Sequence, residues 1–323
     1  MLRSENRLRK IIINKLNNIK TKSEKNFNLK GKYYEYFPQT REELKKLIYD
    51  LINQYGNNID LNNIDVSNVN SFNHIFYNLY EFSGDLSKWD VSNGINFSYM
   101  FDSCESFNGD LSKWDVSNSE NMDFMFYECR KFNSNLSNWN VFNLKNLVHT
   151  FGYCYNFNSN LSKWDVSNVT NFENLFCFCR NFNSDLSKWN VSNGKYFNYM
   201  FYNCKKFNSD LSNWDVSNGK EFEDMFSWCV VFNSDLSNWN VSNGKYFNFM
   251  FYNCEKFNSY LSKWDVSNGK YFRAMFYDCK KFNADLSKWD VSNATSWKNF
   301  AKGSLLEKYP NQIPERFRDD YLK

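Results

Sequence analysis

The chain has 323 residues, with 39 basic and 36 acidic side chains and a formal charge of +3. So even a balance excludes a surface wholly committed to nucleic acid or anionic lipid. The length suits two ordinary domains or one body extended by repetition, and no segment approaches the roughly 18 consecutive apolar residues that span a bilayer.

In chain order, residues 1–25 form a basic tail: Arg3, Arg7, Arg9, Lys10, Lys15, Lys20, Lys22 and Lys25 stand against Glu5 and Glu24. Leu8, Ile12, Leu16 and Ile19 fall on one helical stripe, so the tail is read as loosely docked, with weak contact to a membrane surface as the other reading. The apolar run Ile11, Ile12, Ile13 is too short for a signal-peptide core. The expected location is therefore cytoplasmic, the alternative being the cell surface or non-classical secretion.

Residues 26–58 read as an N-terminal cap. In PQTREELKKLIYDLINQYG, Thr40 and Glu43 make a capping-box pair, and Leu44, Leu47, Ile48, Leu51 and Ile52 make one apolar face before Gly56.

Residues 59–303 repeat with a period of 25. Trp89, Trp114, Trp139, Trp164, Trp189, Trp214, Trp239, Trp264 and Trp289 keep that step, as do eight cysteines from Cys104 to Cys279, Cys204 and Cys254 among them. A fixed period of this size signals a solenoid whose units bury their apolar stripes by stacking. Within one unit, Trp239 and Val241 flank Asn240 with strand alternation. Phe247, Met250, Phe251 and Cys254 follow at i, i+3, i+4 and i+7, which predicts a helix of about three turns capped by Ser242 or Asn243. The expected fold is an α/β solenoid of ten strand–helix units, with the parallel strands on the concave face and the Trp and Cys columns as core. Residues 304–323, with two prolines, should close the C-terminal end.

The pattern F-x3-L-x2-W-D-V-S-N-x4-F-x2-MF-x2-C resembles the repeat of BspA-like leucine-rich repeat proteins, in the variant catalogued as a domain of unknown function in mycoplasma proteins. The segment KYYEYFPQTREELKKLIYDLI resembles the module that precedes such repeats. The resemblance implies a right-handed leucine-rich solenoid and, for many relatives, surface display and binding of host or matrix proteins.

Catalytic, metal and cofactor sites are not expected. His74 and His149 lie three units apart, and cysteines one per unit read as packing rather than as disulfides or ligands. Glycines at 194, 219, 244 and 269 ease a turn rather than cradle phosphate. A monomer binding a protein partner, and not nucleic acid, is expected to use the strand face beside the tryptophans. The candidate residues are Lys88, Asp90, Lys113, Asp115, Lys163, Asp165, Lys188, Asp215, Asn238, Asn240, Lys263, Asp265, Lys288 and Asp290. Specificity would come from units that break the pattern: residues 141–157, with Phe142 and Thr150, and then Trp228, Val230, Val231 and Tyr260.

Overall fold

A computed structural model of the chain describes residues 34–320. The basic tail of residues 1–25 lies outside the described residues.

Helix α1, Arg41–Tyr55, is the first helix among the described residues. Thr40 Oγ1 accepts the Glu43 amide at 3.2 Å, and Glu43 Oε2 reaches back to the Gln39 amide at 2.9 Å, so one donor of the first turn and the amide just before the cap are satisfied. Leu44, Leu47, Ile48 and Leu51 are buried against the first unit. The helix ends at Gly56, whose φ of 93° suits glycine.

Beyond α1 the units stack as the period predicts, but the units hold neither helices nor extended strands among the described residues. The predicted strand–helix unit is corrected to a coil of tight turns. In one unit Trp239 donates its amide to Leu236, Gly244 to Val241, Met250 to Phe247, Cys254 to Phe251 and Phe257 to Cys254, each closing an i to i+3 turn. Phe249 and Asn253, third residues of two successive turns, have φ of 55° and 56°. That left-handed backbone is incompatible with an α-helix. Apolar residues at i, i+3, i+4 and i+7 occupy the corners of two four-residue turns as readily as one helical face, and this misled the periodicity.

The amides between the turn amides leave the unit. Phe247, Phe249, Phe251 and Asn253 donate to Tyr271, Arg273, Met275 and Tyr277 of the next unit at 2.7–2.9 Å, and Lys245 donates back to Lys220. Parallel bridges such as Tyr246 to Tyr271 run along this ladder. From Phe249 to Cys254 every second amide thus ties two units together while its neighbour holds the turn, so each donor of that stretch is satisfied.

The tryptophan side is joined differently. Trp239 Nε1 donates to the Leu211 carbonyl of the preceding unit at 2.9 Å, and Asn243 Nδ2 to the Ser217 carbonyl at 2.7 Å. The Leu236 amide reaches the Ser259 hydroxyl of the following unit at 2.8 Å. Ser242 and Asn243, expected as helix caps, therefore serve turns and unit junctions.

Side-chain links are longer than a backbone ladder, and the ring stacks record the difference. Trp239 and Trp264 are 6.4 Å apart with planes 1° from parallel, whereas Phe226 and Phe251 are 5.6 Å apart, and Tyr252 and Tyr277 4.9 Å. Nearly parallel copies related by one unit measure its advance at their own position in the cross-section. An advance that is shorter on one side bends the coil toward that side. The concave surface is the turn ladder, and the tryptophan side is convex, the reverse of the expected placement.

Both ends are closed. Units normally accept donors from the unit before on carbonyls of the ladder, and in the first unit α1 supplies them: Arg41 Nε donates to Asn73 O at 2.8 Å and Tyr49 Oη to Tyr77 O at 3.2 Å. At the other end, three short 3-10 turns (Leu305–Lys308, Pro310–Gln312, Glu315–Asp320) bury Leu306, Ile313 and Phe317 over the last unit. The Gln312 carbonyl accepts the Leu286 amide, taking the place of the serine hydroxyl found in inner units.

Candidate functional site

The core columns leave little for chemistry. The nine tryptophans are 3–5% exposed, and each indole N–H is satisfied by a leucine carbonyl of the unit before. Cys204 Sγ donates to Phe176 O at 3.0 Å and Cys254 Sγ to Phe226 O at 2.9 Å, as do the other cysteines of that column. Burial pushes these thiols up, far from the reactive thiolate. Cys177, in the adjoining column, is also buried, and its thiol is pushed up to about 12. Among the described residues no group of three His, Cys, Asp or Glu is placed to hold a metal ion, and no helix is long and apolar enough to cross a membrane.

The sequence-marked surface lies on the convex side. Lys88, Lys113, Lys163, Lys188, Lys263 and Lys288 are exposed in one column, with Asn238 among them. The neighbouring column is occupied by turn residues: Oδ1 of Asp115, Asp165, Asp215, Asn240, Asp265 and Asp290 accepts the amide two residues on, at 3.0–3.1 Å. Asp90 does the same for Ser92. The Ser217 hydroxyl and amide hold the Asp215 carboxyl below its ordinary range. An amide oxygen serves an Asx turn as well as a carboxylate does, so Asp and Asn interchange freely here.

The concave ladder carries a second set of side chains that the sequence reading treated as helix. Nineteen non-glycine residues occupy the left-handed region, two per unit, and nine of them carry rings: His74, Tyr99, Phe124, His149, Tyr153, Phe178, Tyr199, Trp228 and Phe249. They stack along the ladder. His74, Tyr99, Phe124 and His149 form a continuous column with centroids 4.6–4.7 Å apart, and Tyr153 stacks on Phe178 at 4.5 Å. Most are half-buried, and Trp228 is 39% exposed. The two histidines are thus three short steps apart in one stack, nearer than helical units would have put them. Burial lowers His149 to about 4, so it is neutral at physiological pH.

Carboxylates lie among these rings. Burial raises Asp102 to about 6, with Glu128 adding to the shift, and raises Asp224 to about 7, with Glu223 adding to it. Asp123, Glu173 and Glu221 are raised in the same way, burial first. Of the pattern-breaking residues, Trp228 stands on this face; Tyr260, 77% exposed, replaces an Asx-turn residue on the other side. Phe142 is exposed, and Thr150 is buried with Oγ1 donating to Met122 O. A signal for the concave set was present: the same two columns, 25 residues apart throughout, collect rings.

The stacked coil with its caps defines a tandem-repeat solenoid. The family described as "Mycoplasma protein of unknown function, DUF285" matches over residues 43–158, 135–233 and 213–311, and the chain belongs to that family. A search of curated proteins gave no match. Among solved structures, the chain is similar to one titled "Crystal structure of TLR13-ssRNA13 complex", at 12% identity and a TM-score of 0.21, over 82% of this chain and 52% of that one. The chain thus spans about half the length of that solved chain.

Proposed function

We propose that this protein is a non-enzymatic interaction scaffold, acting as a monomer, that takes a protein partner along its concave turn ladder. The observation that carries the reading is the identity of the left-handed residues. Each non-glycine residue there costs about 1–2 kcal/mol of backbone strain, and bulky rings are the poorest choice for it. Rings held there on a rigid curved lattice are half-accessible and pre-ordered, which suits aromatic anchors in an interface. The convex Lys and Asn columns are a secondary surface in this reading, since the Asp and Asn beside them are occupied by turns.

The test is affinity capture with the full chain as bait beside the variant Tyr199→Ala/Trp228→Ala/Phe249→Ala. A partner retained by the first and lost by the second, at similar melting temperatures, supports the reading; equal capture by both removes the concave face from it. The BspA-like resemblance of the repeat favours a second reading, a cell-surface adhesin using the same face. Protease shaving of intact cells separates the two by whether the protein is digested.

A further inference from the structure

Where the convex side turns into the ladder, one exposed column reads Lys195, Lys220, Lys245, Lys270 in four successive units. Their backbones are locked together: the amides of Lys220, Lys245 and Lys270 donate to the lysine carbonyl of the unit before at 2.9–3.0 Å, and the Lys195 amide to Thr170 O at 2.9 Å. Beside them Tyr246 and Tyr271 stack at 5.0 Å with planes 9° apart, which gives the advance per unit at this edge. Among the described residues none of the four lysines enters an ion pair. The convex lysine column differs, being broken by asparagine at 138, 213 and 238. Toward the N-terminal units the same edge continues as an open groove of about 610 Å³ lined by Asn93, Asn118, Asn143, Lys145 and Asn146, where Ile95 and Glu120 take the lysine column and end the run of positive charge.

Stacked like charges repel, and a rigid lattice holds their backbones at that spacing; Glu221, which interrupts the tyrosine column beside them, is one carboxyl against four lysines and is pushed up by burial. A linear polyanion resolves the repulsion, and three features choose among polyanions. An extended acidic peptide presents side chains on one face about 6.8 Å apart, out of step with a 5.0 Å advance. Single-stranded nucleic acid needs open aromatic faces for its bases, and here Tyr246 and Tyr271 are stacked on each other. A chain of uronic acid sugars advances by about one sugar per unit of this stack, carries one carboxylate per sugar, and offers hydroxyls to the tyrosines and amides.

We infer that the Lys195–Lys270 edge is a binding site for an acidic polysaccharide with one carboxylate per sugar, separate from the concave protein-binding face. The site lies on the ladder's edge and uses none of the left-handed ring residues Tyr199, Trp228 and Phe249 that carry the protein-binding reading, so either reading can fail alone. The experiment is titration of the full chain with polygalacturonate, beside dextran, polyglutamate and a single-stranded oligonucleotide, at two salt concentrations. The expected result is saturable binding to polygalacturonate that weakens with salt and no binding to dextran. Lys195→Gln/Lys220→Gln/Lys245→Gln/Lys270→Gln should lose at least tenfold in affinity at an unchanged melting temperature. The corresponding Arg variant, and Lys256→Gln/Lys281→Gln on the opposite edge, should retain it. Absence of saturable binding, an unaffected glutamine variant, or equal or tighter binding of polyglutamate or the oligonucleotide overturns the inference.

Discussion

The two sides of one coil solve the same problem with different bonds. On the ladder, backbone amides of Phe247, Phe249, Phe251 and Asn253 meet carbonyls of the next unit, and ring copies sit 4.9 Å apart at Tyr252 and Tyr277. Beside Trp239 the links pass through an indole, an asparagine amide and a serine hydroxyl, and the copies sit 6.4 Å apart. Curvature in this solenoid thus follows from which atoms carry the unit-to-unit hydrogen bonds. A leucine-rich solenoid with outer helices would curve because helices are thick; here a row of side-chain spacers has the same effect.

The comparison breaks hardest at the tryptophans. Trp189→Ala removes a buried ring and the 2.9 Å bond to Leu161 O, and the expected loss is about 3–5 kcal/mol in urea unfolding. A loss below about 1 kcal/mol would mean that the convex side is held by something else. The ladder side is sharpened by Asp224. Its native pKa of about 7 lies above the ordinary 3.8, so the folded state keeps the proton more strongly than the unfolded chain. Stability from this group is complete below pH 3.8, falls as pH rises, and is fully lost above about 7. Asp224→Asn should therefore stabilise by roughly 1–3 kcal/mol at pH 8, with the gain shrinking below pH 7 and gone near pH 4. Asparagine also tolerates the left-handed backbone at this position, φ 54°.

A smaller effect isolates one spacer. Ser184→Ala leaves the buried Leu161 amide without its 3.0 Å acceptor and should cost about 1–2 kcal/mol in the same unfolding assay. The least effect tests the Asx turns: Asp215→Ala should cost about 1 kcal/mol and Asp215→Asn less than about 0.5, since the amide oxygen keeps the Ser217 bond. Equal losses for the two would show that charge, not the turn, is what the column supplies.

The 25-residue period, the buried Trp, Phe and Cys columns and the Thr40–Glu43 cap were all legible in the sequence, because each depends on residue type at fixed spacing. The conformation of the second half-unit was not. Left-handed residues are normally announced by Gly or Asn, and Tyr199 or Phe249 hides the signal behind a ring. The side that curves inward was hidden for the same reason, since it depends on hydrogen-bond partners rather than on hydrophobicity. One clue was available: Asp or Asn two residues before Ser recurs twice per unit, as in Asp210 with Ser212 and Asp215 with Ser217, and both pairs are Asx turns. Read that way, the interchange of Asp and Asn on the candidate face points to turns before it points to a charged surface.

The ladder also has a direction. Ladder amides from Phe247 to Asn253 look forward to the next unit, Lys245 looks back, and the caps at Arg41 and Gln312 complete bonds that any inner unit would offer. Removing or inserting 25 residues would restore every junction, while 24 or 26 would leave each donor facing the wrong atom. Copy number is then nearly free of the fold's constraints: unequal exchange between near-identical repeats can lengthen or shorten the molecule in whole steps, and its reach can drift while its cross-section stays fixed.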